Sequence, residues 1–139
     1  MFKKILAAVD GSQHGLKAAR TAGELARRME ADLWIVTVFD PVPAYLGEPY
    51  LQEAMSKRLG QAEKILQEAL EEIGSIPGKL STETLEGPVA EAIIAVLQAR
   101  HIDLVVMGTR GLGRLSGLLL GSQSQKVVQH APCPVLLVR

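Results

Sequence analysis

The sequence has little of three features that mark common protein classes. Its one cysteine, Cys133, excludes an internal disulfide, and we expect this side chain to be a small buried hydrophobe. No apolar run approaches the roughly 18 residues that cross a bilayer, and the N-terminus lacks a signal-like segment. Aromatic residues make up 4% of the 139 residues, too few for the stacking platforms of nucleic-acid binders. We therefore expect one cytoplasmic domain, residues 1–139, that binds neither membrane nor nucleic acid.

Acidic residues are absent from the last part of the chain. All 15 Asp and Glu residues lie at or before Asp103, whereas Arg110, Arg114, Lys126 and Arg139 follow it. The formal net charge of +0 therefore hides a cationic segment, which predicts a local anion site contacted by Arg110 and Arg114. Four cations are too few for a nucleic-acid surface.

Short apolar runs rich in β-branched residues alternate with helical patterns along the chain. The predicted strands 1 to 5 are Ile5–Val9, Leu33–Phe39, Leu80–Leu85, Leu104–Met107 and Val135–Val138. The predicted helices are Gln13–Met29, Tyr50–Ile73, one that has Gly87-Pro88 in its first turn, and Ser122–His130. Strands 2 and 4 are continuously apolar, which is typical of parallel strands buried on both faces. With right-handed crossovers, this pattern favours one doubly wound α/β domain with a five-stranded parallel sheet in the order 3-2-1-4-5 and helices on both faces.

In that strand order, the carboxyl ends of strands 1 and 4 flank the crevice in which such sheets bind ligands. Asp10 follows strand 1 and Gly108 follows strand 4, so two segments distant in sequence converge there. The Pro- and Gly-containing segment Asp40–Pro49 follows strand 2, and we expect it to form a rim or a lid at the same edge.

A glycine-containing segment follows strand 4 and opens the last helix. Gly108, Gly111 and Gly121 permit close approach of the backbone to a ligand, and Ser122 can both cap the helix and contact a phosphate. No Gly-Lys-Ser/Thr sequence is present, so the segment is not a P-loop. The stretch Gly111–Gly117 is similar to a dinucleotide fingerprint but lacks the later acidic residue that holds a ribose. The segment predicts a phosphate site for a nucleotide.

Asp10-Gly11-Ser12 has two interpretations that the sequence leaves open. It is either a turn that caps the first helix, or a site where Asp10 binds the nucleoside or a divalent cation on the phosphates. His14, His101 and His130 lack metal-ligand spacing and a neighbouring nucleophile, so we expect them on helix surfaces. No set of metal ligands can be assigned from these residues.

Together these motifs closely resemble the ATP-binding branch of the universal stress protein family. The resemblance depends on the pattern Gly-2x-Gly-9x-Gly-Ser, on Asp10 and on the ending Ala131–Val138, and it extends over the whole chain. It implies a small α/β homodimer that holds ATP between strand 1 and the glycine segment. It implies that adenosine contacts Ala8, Val9, Asp10 and Val38, and that ribose and phosphates contact Gly108, Arg110, Gly111, Gly121, Ser122, Gln123 and Ser124.

The predicted function is a cytoplasmic, dimeric ATP-binding stress-response protein that acts as a nucleotide-dependent regulatory module, with ATP and Mg²⁺ as ligands. Hydrolysis is expected to be slow at most, because no base or water-positioning residue is recognisable. Two alternatives stay open: an enzyme that cleaves ATP or transfers a nucleotidyl group, and an interaction module with a vestigial pocket. The predicted dimer contact is Val135–Val138, an apolar edge strand without protecting charges.

Overall fold

The computed structural model describes residues 1–110 and 120–139. In chain order, the elements are β1 (Lys4–Ala8), α1 (Gln13–Met29), β2 (Asp32–Phe39), a short 3-10 helix (Ala44–Leu46), α2 (Tyr50–Ile73), β3 (Leu80–Glu86), α3 (Val89–Ala99), β4 (Leu104–Gly108), α4 (Ser122–His130) and β5 (Val135–Val138). The strands form a five-stranded parallel sheet in the order β3-β2-β1-β4-β5. The predicted doubly wound topology is confirmed.

Alternate side chains of the central strands point to opposite faces of the sheet and build two cores. Ile5 and Ala7 of β1 pack against α1 and α2, whereas Leu6 and Ala8 pack on the side of α3 and α4. On its sheet-facing side α1 carries fully buried alanines, which bring the helix close to the strands: Ala18, Ala19, Ala22 and Ala26. Both faces of the sheet thus bury apolar surface. This burial stabilises the fold by roughly 25 cal/mol for each Å² removed from water.

Burial differs between the two strands that the sequence predicts to be covered on both faces. Every residue of β4 is buried, as expected. In β2, Trp34, Val38 and Phe39 are only half-buried, so that expectation is wrong for part of the strand. These residues are partly exposed because β2 lies next to the edge strand β3, and because the carboxyl end of β2 borders a cavity.

The capping residues of two helices differ from the sequence expectation, although α4 begins at Ser122 as predicted. Gly121, not Ser122, is the N-cap of α4, and Ser122 is the first helical residue without a side-chain capping bond. The N–H of Gly121 donates to the carbonyl of Thr109 at 2.9 Å, which fixes Gly121 in an extended conformation before the helix opens. Pro88 is likewise the N-cap of α3 and lies outside its first turn.

The longest of the described helices, α2, contacts the core only through its C-terminal half. Its buried residues are Ala62, Leu66, Ala69 and Ile73, whereas its first turns are largely exposed. Neither α2 nor any other helix in the described ranges has the length and apolar character needed to cross a membrane.

Candidate functional site

A cavity of about 400 Å³ opens at the carboxyl ends of β1 and β2. Its described lining residues are Asp10, Thr37, Val38, Phe39, Asp40, Arg58, Gln61, Ala62, Ile65 and Val89. Ligand sites of doubly wound sheets lie at this edge, and pockets for small molecules typically have volumes of roughly 300–1,000 Å³. The cavity, which we call the β1–β2 cavity, has the size of a small-molecule site and lies at the carboxyl edge of the sheet, beside the predicted crevice between strands 1 and 4.

Of the four residues predicted to surround adenosine, two line this cavity. Asp10 and Val38 lie on its wall, whereas Ala8 and Val9 are buried at the end of β1. The N–H of Val9 donates to the carbonyl of Val36 at 2.9 Å, which extends the β1–β2 pairing up to the cavity. The predicted adenosine contacts of Ala8 and Val9 stay a prediction.

Asp10 organises the turn that leads into α1. Its Oδ1 atom accepts hydrogen bonds from the N–H and the hydroxyl of Ser12, at 3.0 and 2.5 Å. The Ser12 hydroxyl oxygen in turn accepts from the N–H of Gly15 at 3.1 Å, which caps α1. The capping interpretation is therefore confirmed. Within the described part of the chain, Oδ2 of Asp10 accepts no hydrogen bond, and this oxygen is left for a ligand or a cation.

One face of α2 closes the β1–β2 cavity from the side. Arg58, Gln61, Ala62 and Ile65 are spaced three, one and three residues apart, so they share this face. The Arg58 guanidinium donates to the carbonyl oxygens of Asp40 and Pro41, the latter at 2.9 Å. These bonds tie the start of the segment after β2 to α2, so this part of Asp40–Pro49 forms a rim of the cavity.

Gly108 ends β4 at a point where α1 lies close to the strand. A Cβ atom at this position would lie 2.8 Å from Cβ of His14 and 3.0 Å from its carbonyl carbon. Distances below about 3 Å are not tolerated without movement of one of the two elements. Glycine is thus required here for packing of α1 on β4, independently of any ligand.

The start of α4 lies beside the end of β4. The bond from Gly121 to Thr109 brings the helix N-terminus to this edge, and α4 has no acidic residue in its first turn. The first N–H groups of a helix lack intrahelical partners and favour anions. Gly121 and Ser122 are therefore placed where a phosphate can be bound, although their predicted contacts with ATP stay a prediction.

Gln123 and Ser124 have structural partners that the sequence does not reveal. Oε1 of Gln123 accepts a hydrogen bond from the N–H of Ala90 at 3.1 Å and so caps α3, whose N-cap is a proline. Ser124 is fully buried, and its hydroxyl donates to the carbonyl of Gly108 at 3.1 Å. Both contacts hold α4 in place, and direct contacts of these two residues with ribose or phosphate stay a prediction.

Arg110 lines a second, smaller cavity of about 220 Å³, together with His14, Thr109 and Arg139. Of the histidines expected on helix surfaces, His130 is exposed on α4, His14 lies on α1 but is half-buried, and His101 is exposed but follows the end of α3. His14 is half-buried because α1 packs closely on Gly108. Gly111 and Arg114, both predicted phosphate contacts, lie outside the described residues.

Comparisons of this sequence with protein families and with single proteins point to the same family. The sequence profile of the universal stress protein family matches residues 1–139. The chain belongs to the universal stress protein family. A universal stress protein of Thermus aquaticus is 51% identical over 139 residues, which cover 100% of both chains.

Solved universal stress proteins share the fold. The structure of UspA from Lactobacillus plantarum is 28% identical with a TM-score of 0.86, and the alignment covers 99% of this chain and 98% of that one. The crystal structure of a universal stress protein in complex with cAMP is 26% identical with a TM-score of 0.77, covering 99% and 97%. These likenesses agree with the sheet order found here.

In this universal stress protein, sequence reasoning missed the α2 contribution to the β1–β2 cavity. One feature of the sequence could have indicated that Thr37 lines the cavity: it is a polar residue inside the apolar run of β2. Arg58 and Gln61 were detectable only as members of the helix face that also carries Ala62 and Ile65. Of the residues the structure describes, no group of three or more His, Cys, Asp or Glu side chains could hold a metal ion.

Proposed function

We propose that this chain is a cytoplasmic, ATP-binding universal stress protein that acts as a nucleotide-dependent regulatory module. The observation that supports the proposal most directly is the β1–β2 cavity, on whose wall Asp10 and Val38 lie together. Its apolar walls, formed by Val38, Ile65 and Val89, suit the faces of a purine ring, and Asp10 supplies an acceptor for the nucleoside. We infer that the adenine base binds here.

The phosphates of such a nucleotide are proposed to extend from Asp10 towards the end of β4 and the start of α4. There, the N–H groups of the first α4 turn and the absence of nearby acidic residues in that turn favour an anion. A universal stress protein of the same fold, 26% identical to this chain, is known in complex with cAMP, which supports an adenine nucleotide as the ligand class.

Hydrolysis of the bound nucleotide is proposed to be slow at most. Two carboxylates, Asp40 and Asp10, line the β1–β2 cavity, and the Oδ1 atom of Asp10 is already engaged by the N–H and the hydroxyl of Ser12. Asp10 is therefore suited to hold a turn and a cation, and poorly placed to activate water. We propose that Mg²⁺ accompanies ATP through the free Oδ2 atom, and that the protein is a homodimer joined by Val135–Val138.

The proposal is tested first by ligand-induced stabilisation. A ligand that binds only the folded state at about a hundredfold excess over Kd stabilises it by about 2.7 kcal/mol. For a domain of this size, we expect ATP to raise Tm by about 4 °C and NADPH to leave it unchanged. Equal shifts from both nucleotides would favour a dinucleotide site instead. Calorimetric titration with ATP, AMP, cAMP and adenosine then ranks the ligands.

A matched pair of variants on α2 locates the site. Gln61→Trp places a large side chain in the β1–β2 cavity, whereas Gln67→Trp makes the same change at an exposed position of the same helix outside it. We expect the first variant to lose ATP and adenosine binding and the second to retain both, with circular dichroism confirming that each is folded. Undiminished affinity in Gln61→Trp would exclude this cavity as the base site.

Two further results would replace the proposal with one of its alternatives. Rapid formation of ADP, AMP or a nucleotidylated product in a single-turnover experiment would identify an ATP-cleaving or nucleotidyl-transferring enzyme. Failure of the wild-type protein to bind any adenine nucleotide in equilibrium titration would indicate an interaction module with a vestigial pocket.

A further inference from the structure

The smaller cavity lies at the carboxyl ends of β4 and β5, beside the first turn of α1. Thr109 and Arg110 follow β4, Arg139 follows β5, and His14 comes from α1. The N–H of Thr109 donates to the carbonyl of Val138 at 2.9 Å, which holds the two strand ends together under the cavity. No described residue lines both this cavity and the β1–β2 cavity.

The lining of this cavity is cationic. Arg110 and Arg139 carry permanent positive charge, His14 supplies two ring nitrogens, and Thr109 supplies a hydroxyl. Among the residues that the structure describes, no Asp or Glu side chain lines the cavity, and none forms a salt bridge with Arg110 or Arg139. Clustered cations that are not neutralised by the protein create a positive potential that attracts an anion.

His14 provides an independent sign that a ligand group belongs here. Its Nδ1 atom is buried, and no described residue forms a hydrogen bond with it. Buried side-chain nitrogens are nearly always paired, so an isolated one calls for a partner from outside the chain. The backbone and Cβ of His14 lie against Gly108, which holds this residue beside the end of β4.

We propose that His14, Arg110 and Arg139 bind a phosphoryl group. A guanidinium group matches the oxygen geometry of phosphate and forms two parallel hydrogen bonds with it, and a ring N–H of His14 supplies a further donor. The phosphoryl group has two possible sources: the terminal phosphate of a nucleotide held in the β1–β2 cavity, or a separate phosphorylated molecule. In the first case the inference depends on the proposed function, and in the second it stands without it.

Calorimetric titrations with tripolyphosphate, ATP and adenosine test this site. Arg139→Gln and His14→Gln remove one predicted contact each, whereas Arg28→Gln removes an exposed arginine on α1 that pairs with Glu24 at 3.6 Å. We expect the first two variants to bind tripolyphosphate on the order of tenfold more weakly, and Arg28→Gln to bind it like the wild type. Adenosine affinity should be unchanged in all three variants.

The ATP titration identifies the source of the phosphoryl group. A parallel loss of ATP affinity in Arg139→Gln and His14→Gln assigns the site to the tail of the nucleotide. Loss of tripolyphosphate binding with unchanged ATP affinity assigns it to a separate ligand. If both variants fold and bind tripolyphosphate and ATP as the wild type does, or if the wild type binds no tripolyphosphate and neither variant alters ATP affinity, the site is excluded.

His14 can also be followed directly. Addition of tripolyphosphate should shift the imidazole signals of His14 in a histidine NMR spectrum and leave those of the exposed His101 and His130 unchanged. This readout does not require stable variants. Failure of the proposed nucleotide site is recognised separately, because it would abolish adenosine binding in the wild type without altering the tripolyphosphate response.

Discussion

The hydroxyl of Ser124 donates a hydrogen bond to the carbonyl oxygen of Gly108, at 3.1 Å, and so joins α4 to the end of β4. Ser124 is fully buried, whereas Ser122, one helical position from the N-cap Gly121, is half-buried at the start of the same helix. Two serines of one motif therefore have different positions. The buried one anchors the helix, and the outer one is available to a ligand.

This difference predicts opposite effects for two alanine substitutions. Ser124→Ala removes a buried hydrogen bond and leaves the Gly108 carbonyl without its partner, so we expect a loss of about 1 kcal/mol in the free energy of unfolding. Ser122→Ala should change stability little and weaken ATP binding instead. Urea denaturation and calorimetric titration measure the two quantities. An unstable Ser122→Ala, or a fully stable Ser124→Ala, would contradict this division.

Gln123 gives a second prediction, because its Oε1 atom caps α3 through the N–H of Ala90 at 3.1 Å. Gln123→Leu should lower the free energy of unfolding by about 1 kcal/mol, as the loss of a helix cap does. Gln123→Glu retains an acceptor oxygen and should retain most of the stability. Urea denaturation of both variants checks the prediction. A stable Gln123→Leu with weakened ATP binding would instead assign this side chain to the ligand.

Much of the fold was accessible from the sequence, because it depends on local periodicity. The predicted bounds of Gln13–Met29, Tyr50–Ile73 and Val135–Val138 agree with the structure, and the strand order follows from crossover handedness. The predictions that were wrong concern positions whose conformation depends on tertiary contacts. Gly121 became the α4 cap because of a hydrogen bond to Thr109, a contact that no local pattern announces.

The sequence allowed the residues of the candidate site to be predicted only where they lie at the ends of strands. Asp10 and Val38 end or nearly end adjacent strands, so the topology alone brings them to one edge. Arg58 depends on the rotation of α2 about its axis, and His14 depends on the close approach of α1 to Gly108. Both are set by packing, and for this reason sequence reasoning placed neither residue in a cavity.

Asp10 carries a prediction about metal dependence. We expect Mg²⁺ to tighten ATP binding on the order of tenfold, through the Oδ2 atom that the Ser12 turn leaves free. Asp10→Asn keeps an acceptor for the turn but removes the charge, so it should remain folded and lose the Mg²⁺ effect. Titrations with and without Mg²⁺ measure this. A variant that keeps the full effect would limit Asp10 to the turn and the nucleoside.

The last strand, β5, has an unusual edge. Within the described residues it pairs only with β4, and its residue Leu136 is 37% exposed. The carbonyls of Pro134 and Val138 accept hydrogen bonds from β4 and from Thr109, so the main-chain groups of the even-numbered residues face β4. Because these groups alternate along a strand, those of Leu137 point to the open edge. An apolar open edge without charges favours pairing with another strand.

We therefore expect this universal stress protein to form a two-fold symmetric dimer in which two β5 strands pair antiparallel. Leu137→Pro removes an N–H at the open edge and should yield a folded monomer, whereas Val138→Pro removes one that faces β4 and should reduce stability. Light scattering gives the mass, and urea denaturation gives the stability of each variant. Because a proline in a short strand can also perturb the core, the wild-type mass decides the question. A wild-type monomer of 14.9 kDa at micromolar concentration, with or without ATP, would refute the dimer.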